Sequence, residues 1–147
     1  MENNIHYNLQ SIDDGVYIDN SRPTEMTDGF SAETLGFQYK LTTRLNLQDN
    51  TIIISPQVRY AFQGKVLMET SVSYRFRVSD LHVVAEIDKE ENKVRLDTIF
   101  MSTLIGIAFS GLRGIVHERA KGGILAAYPV PVIIMDDLLK NNAIQVV

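Results

Sequence analysis

An α+β fold is predicted: a four-stranded antiparallel meander packed on one long C-terminal helix, then a proline-containing crossover and a short last helix. Two patterns carry this prediction. Residues 37–78 alternate apolar and polar side chains over three long runs broken by turn residues, the mark of strands with one face buried. Residues 98–121 are the one long helical candidate; between Ile99 and Leu112 they carry no charge and put apolar side chains on every side of the helix. The lengths also agree, since strands of this size extend about 35 Å and the helix about 36 Å.

In chain order, a first strand is expected over residues 5–12, closed by a turn at Asp13-Asp14-Gly15. Residues 20–32 are rich in Pro, Gly, Ser and Thr and read as a loop. The second strand sets Phe37, Tyr39, Leu41, Leu45 and Leu47 against Gln38, Lys40, Thr42, Arg44 and Asn46. After a hairpin at Asp49-Asn50, the third sets Ile52, Ile54, Val58, Tyr60 and Phe62 against Ser55, Gln57 and Arg59. Gln63-Gly64 turns the chain into the fourth, where Val66, Met68, Val72, Tyr74, Phe76 and Val78 oppose Glu69, Ser71, Ser73, Arg75 and Arg77. Residues 81–87 suit a short strand, and the charged run that follows suits a solvated turn. Asp97 or Thr98 can cap the long helix, Arg119 and Lys121 suit its C-terminal dipole, and Gly122-Gly123 end it. Pro129 and Pro131 hold residues 124–135 extended, and Asp136 caps a short helix over 137–141 before the tail AIQVV.

One domain spanning residues 1–147 is long enough to bury its core without metal or disulfide. The chain has no cysteine, which excludes disulfides and thiolate metal sites and fits a reducing, cytoplasmic setting. MENNIHYN is too acidic and polar for a signal or transit peptide. The uncharged run 98–112, 15 residues, would extend only about 22 Å as helix, short of the roughly 30 Å and 20 apolar residues a bilayer core needs, so no membrane insertion is expected. The net charge of −4 is uneven: −6 over residues 1–36, +4 over 37–77 and −2 over 78–147. The whole is too acidic for a nucleic-acid binder, yet the sheet's polar face gathers Lys40, Arg44, Arg59, Arg75 and Arg77 against Glu69. That face reads either as solvated surface or as a docking face for an acidic protein partner.

One sheet cannot cover a helix that is apolar all round, so a second copy of the chain is expected against it. Ser102, Gly106, Ser110 and Gly114 recur every fourth position and form a seam where another backbone can approach closely. Close packing on the chain's own sheet is the alternative.

No catalytic template fits. His117-Glu118 begins a zinc-protease HExxH, but position 121 is Lys. There is no Walker loop and no GxSxG elbow, and the Gly111–Gly114 cluster lies inside a helix rather than at an N-terminus that would hold a phosphate. His6, His82 and His117 are scattered along the chain and read as structural or exposed. Neither an enzyme, a cofactor nor a metal is expected.

RGIVHERAKG (113–122) and ILAAYPVPVIIMDDL (124–138), in an order of meander, long helix, proline crossover and short helix, resemble the SecB protein-export chaperone family, as a divergent member. The chain departs from that family where Phe-Pro after the helix glycine is Ile124-Leu125, where Asn-Phe after the prolines is Ile133-Ile134, in lacking an acidic tail, and in a basic rather than acidic sheet face. The resemblance implies an ATP-independent chaperone, a homotetramer built as a dimer of dimers, and unfolded polypeptide held in apolar grooves lined partly by the crossover. For this chain it points to Ile124, Leu125, Tyr128, Val130 and Val132 as client-binding residues, for export or for a dedicated client such as an antitoxin. Burial of the same segment on the chain's own core stays open, as do a small-ligand carrier and a structural adaptor working through the basic face.

Overall fold

Alternation along the chain translates directly into β2 (Gly36–Asn46), β3 (Thr51–Phe62) and β4 (Lys65–Val78), consecutive antiparallel strands whose alternate residues are buried. The structure is a computed structural model describing residues 5–21, 31, 33–88, 90–91 and 93–146. The loop expected over 20–32 therefore lies mostly outside the described residues. Left-handed backbone at Gln63 (φ 50°) and Gly64 (φ 76°) makes the β3–β4 turn, the geometry that matches strand twist in tight hairpins.

Strand β1 (Tyr7–Asp19) does not stop at Asp13-Asp14-Gly15 as expected. It runs straight through, antiparallel to β4, with its register shifting between Asp14 and Tyr17. The Val16 amide donates to Ser71 Oγ at 2.7 Å, and a side chain at Gly15 would collide with that serine. Gly15 thus serves a bulge rather than a turn, a role that local composition does not distinguish.

Among the described residues the sheet has five strands, not four. Its order is β1-β4-β3-β2-β7, where β7 (Asn142–Val146) is the tail, paired parallel to β2 from Leu41–Asn142 to Leu45–Val146. Buried Thr43 donates its hydroxyl to Asn142 Oδ1 at 2.8 Å and seats the start of that strand. Five residues are too few for a period-2 signal, and parallel pairing depends on where the preceding helix delivers the chain.

Between sheet and helix, residues expected as one short strand divide into a single turn, α1 (Leu81–Val84), and β5 (Ala85–Asp88), which pairs with β6 (Lys93–Leu96). Leu81 and Val84 are buried, so core contacts wind the first half into a turn. The long helix, α2 (Thr98–Ala120), is capped by Asp97, whose carboxylate accepts from the Phe100 amide at 2.8 Å. Its buried side chains, from Phe100 and Met101 through Leu104, Phe109 and Leu112 to Val116, share one core with Ile52, Ile54, Val58, Tyr60, Tyr74 and Phe76. Each such aliphatic or aromatic side chain contributes about 1.5–3 kcal/mol on leaving water. The helix is longer than its uncharged run: at 23 residues it is long and apolar enough, by length and composition, to cross a membrane, and 44% of its most apolar window is buried within the chain.

Residues 124–135 are not uniformly extended. Ile124–Ala127 form one 3-10 turn, closed by the Ala126 and Tyr128 amides on the Gly123 and Leu125 carbonyls. Pro129 and Pro131 leave this turn free because they follow it, and Ile134, beyond them, is extended. The last helix, α3, is Met135–Lys140, entered from Ile134 with no side-chain cap. Asp136 therefore does not cap it; Asp136 and Asp137 lie in its first turn, where carboxylates suit the dipole.

Candidate functional site

The crossover splits its expected client-binding residues between core and solvent. Leu125 (1% exposed) and Val130 (7%) are core anchors, Ile124 and Tyr128 are half-buried, and Val132 stands 90% exposed. Next to Val132, Ile134 is 66% exposed, although sequence reasoning did not single it out. Hydrogen bonds hold the segment: the Tyr60 hydroxyl donates to the Tyr128 carbonyl at 3.0 Å, and Arg113 donates to the Pro131 carbonyl at 3.1 Å. Burial in the apolar core pushes the Tyr60 phenol up to about 12. Both bonds fix backbone, which leaves the outward side chains of the crossover free.

Beside these anchors lies a half-open sheet edge. Strand β7 covers β2 only from Leu41 to Leu45, so, among the described residues, 36–40 pair on the β3 side alone. An open cavity of about 720 Å³ adjoins this stretch, lined by Phe37, Tyr39, Leu41 and Val58 on one side and by Gln38, Lys40 and Arg59 on the other. Tyr39 accepts from Asn141, at the end of α3, and packs edge-on to Phe109. Phe37 packs on Tyr60, whose hydroxyl holds the crossover. Alternation marked Phe37 and Tyr39 only as core-facing; their place at a bare edge follows from where β7 begins.

The four small residues of the seam all fall on the side of α2 turned away from its sheet. Ser110 and Gly114 are exposed, Ser102 and Gly106 half-buried. A side chain at Gly114 would meet nothing within 4 Å, and one at Gly106 only the Met135 methyl at 3.9 Å. Gly111 is different: a side chain there would strike the Tyr74 ring and hydroxyl. Packing on the chain's own sheet therefore accounts for Gly111 but not for Gly106 or Gly114. Ile99 (82% exposed) and Ile107 stand on the same outward side.

Lys40, Arg44, Arg59, Arg75 and Arg77 do share the sheet's outer face, in register across β2, β3 and β4. Arg59 is committed to Glu69 at 2.9 Å, and Gln57 bonds the same carboxylate oxygen. His6, His82 and His117 are all exposed. Compared with models of known protein families and with curated proteins, the chain matches none.

Proposed function

We propose that this chain is a SecB-like, ATP-independent chaperone that holds unfolded polypeptide and works as a dimer or tetramer. The observation that carries the reading is the pairing of exposed Val132 and Ile134, on a tethered extended segment, with the bare, aromatic-lined edge of β2. An unfolded chain offers two things: backbone amides seeking partners and scattered apolar side chains. A free strand edge accepts the first with no sequence demand, and an apolar surface accepts the second. Burial of a few aliphatic side chains at roughly 1.5–3 kcal/mol each suffices for micromolar holding after ordering costs. The chain order of meander, long helix, proline crossover and short helix supports the same family reading. Self-association would cover the outward side of α2, and delivery of clients for export is the role the family resemblance suggests.

The test is suppression of aggregation of a reduced, unfolded client without nucleotide. Leu125 is unsuitable for substitution because it is core. Val132→Asp with Ile134→Asp should reduce holding at least tenfold while leaving the far-UV spectrum unchanged. A wild-type chain that suppresses nothing, and that co-purifies with a small ligand, would overturn the proposal in favour of a ligand carrier.

A further inference from the structure

The outer face of the sheet carries a second, separate feature. Arg44 on β2 lies opposite Ile53 on β3, which lies opposite Arg75 on β4; Arg77 follows two residues along the same strand, opposite Thr51. Strand geometry spaces Arg75 from Arg77 by roughly 7 Å and Arg44 from Arg75 by about 10 Å. Among the described residues no carboxylate comes within 4.0 Å of these three guanidiniums. Of the nearby acids, Asp49 accepts from Asn46 at 2.9 Å, Asp13 accepts from Ser11 at 3.1 Å, and Asp80 lines a second hollow with Arg77 without pairing with it. A polar hollow of about 420 Å³ opens beside Arg75 and Arg77, with Gln10, Gln48, Asp49, Asn50 and Thr51 in its wall.

We infer that Arg44, Arg75 and Arg77 form a docking site for an extended acidic peptide segment of a protein partner, independent of the client-holding reading. Three observations choose that occupant. Carboxylates at alternate positions of an extended peptide repeat at roughly 7 Å, which matches the Arg75–Arg77 step, and each guanidinium can grip a carboxylate through two parallel N–H donors. Ile53, between Arg44 and Arg75 on the neighbouring strand, adds an aliphatic surface beside the cations that suits the methylenes of a peptide's acidic side chains. Nucleic acid is the poorer fit: the chain carries a net −4, and none of the outer-face residues paired across β2, β3 and β4 is aromatic, so no stacking platform exists for bases. Lys40 lies farther along β2, and Arg59 is held by Glu69, so the five cations of the face reduce to a site of three.

The probe is a fluorescein-labelled peptide alternating glutamate with serine, read by fluorescence anisotropy at 20 and 300 mM salt. Wild type should bind it, and weaken at least tenfold at the higher salt. Arg75→Glu with Arg77→Glu should lose binding at least tenfold, and Arg77→Gln alone severalfold, with unchanged far-UV spectra. Arg95→Glu with Lys93→Glu, the same charge change on the exposed β5–β6 hairpin, should leave binding intact. Equal loss in both double variants would overturn the site, as would equal binding of a glutamine-for-glutamate peptide or tighter binding of a dT20 oligonucleotide. The client-holding assay should be unaffected by the arginine variants, which separates failure of this site from failure of the chaperone reading.

Discussion

Tyr60 shows how one side chain ties the core to the crossover. Its ring packs with Phe37, and its hydroxyl crosses 68 residues of sequence to the Tyr128 carbonyl. Burial favours the neutral phenol, so its ionisation moves up to about 12 from the usual 10. The unfolded chain releases this proton near pH 10 while the folded chain retains it. Stability is therefore fully present below pH 10 and falls as pH rises toward 12. Ultraviolet titration at the tyrosinate band should show a late phenol that disappears in Tyr60→Phe. That variant should also cost about 1–2 kcal/mol in denaturant, since it strips a partner from a carbonyl near the core. A Tyr60→Phe protein of undiminished stability would mean that the Tyr60–Tyr128 bond does not help to hold the crossover.

At the scale of the element, α2 uses its glycines in opposite ways. Gly111 is small because Tyr74 occupies the space a side chain would need, whereas Gly114 faces open space within its own chain. Gly111→Ala should therefore destabilise the fold, overpacking costing about 1–3 kcal/mol. Gly114→Ala should add up to about 1 kcal/mol to an isolated subunit, because alanine favours helix over glycine. Chemical denaturation below micromolar concentration measures both. Destabilisation by Gly114→Ala under dilution, where self-association is lost, would refute the view that its space is empty within the subunit. The bulge in β1 follows the same logic, since Gly15 is dictated by Ser71 on the neighbouring strand.

For the whole molecule, the exposed apolar side chains matter most. Ile99, Ile107, Val132 and Ile134 are exposed, and β1 leaves Leu9, Ile12 and Tyr17 in solvent beside the helix. Single exposed apolar residues are ordinary, but a contiguous group marks an interaction surface. Size exclusion with light scattering should give a mass two or four times the 16.6 kDa of one chain. Gly114→Leu should shift that mass to the monomer with the fold retained, because a Cβ there meets nothing within 4 Å in its own chain, whereas a second backbone on the seam would be struck. A wild-type monomer at tens of micromolar would end the oligomer proposal.

By itself, the sequence determined the three-strand meander, the face most residues take on it (Leu47, read as core-facing, lies exposed beyond β2), and the span of α2 with its cap narrowed to Asp97 or Thr98. These features rest on periodicity and capping, which act between near neighbours and leave a local trace. It also sufficed to bring Lys40, Arg44, Arg59, Arg75 and Arg77 to one face, since strand alternation alone places them. Only the tertiary structure decided the rest. The tail becomes β7 because α3 delivers it to β2, and among the described residues the edge at 36–40 is left bare because β7 begins no earlier than Asn142. Likewise Leu125 and Val132 are equally apolar in sequence, yet one is core and the other solvent-exposed. Burial is a relation to distant residues, and in a segment fixed by prolines no period records which side chain will find the core.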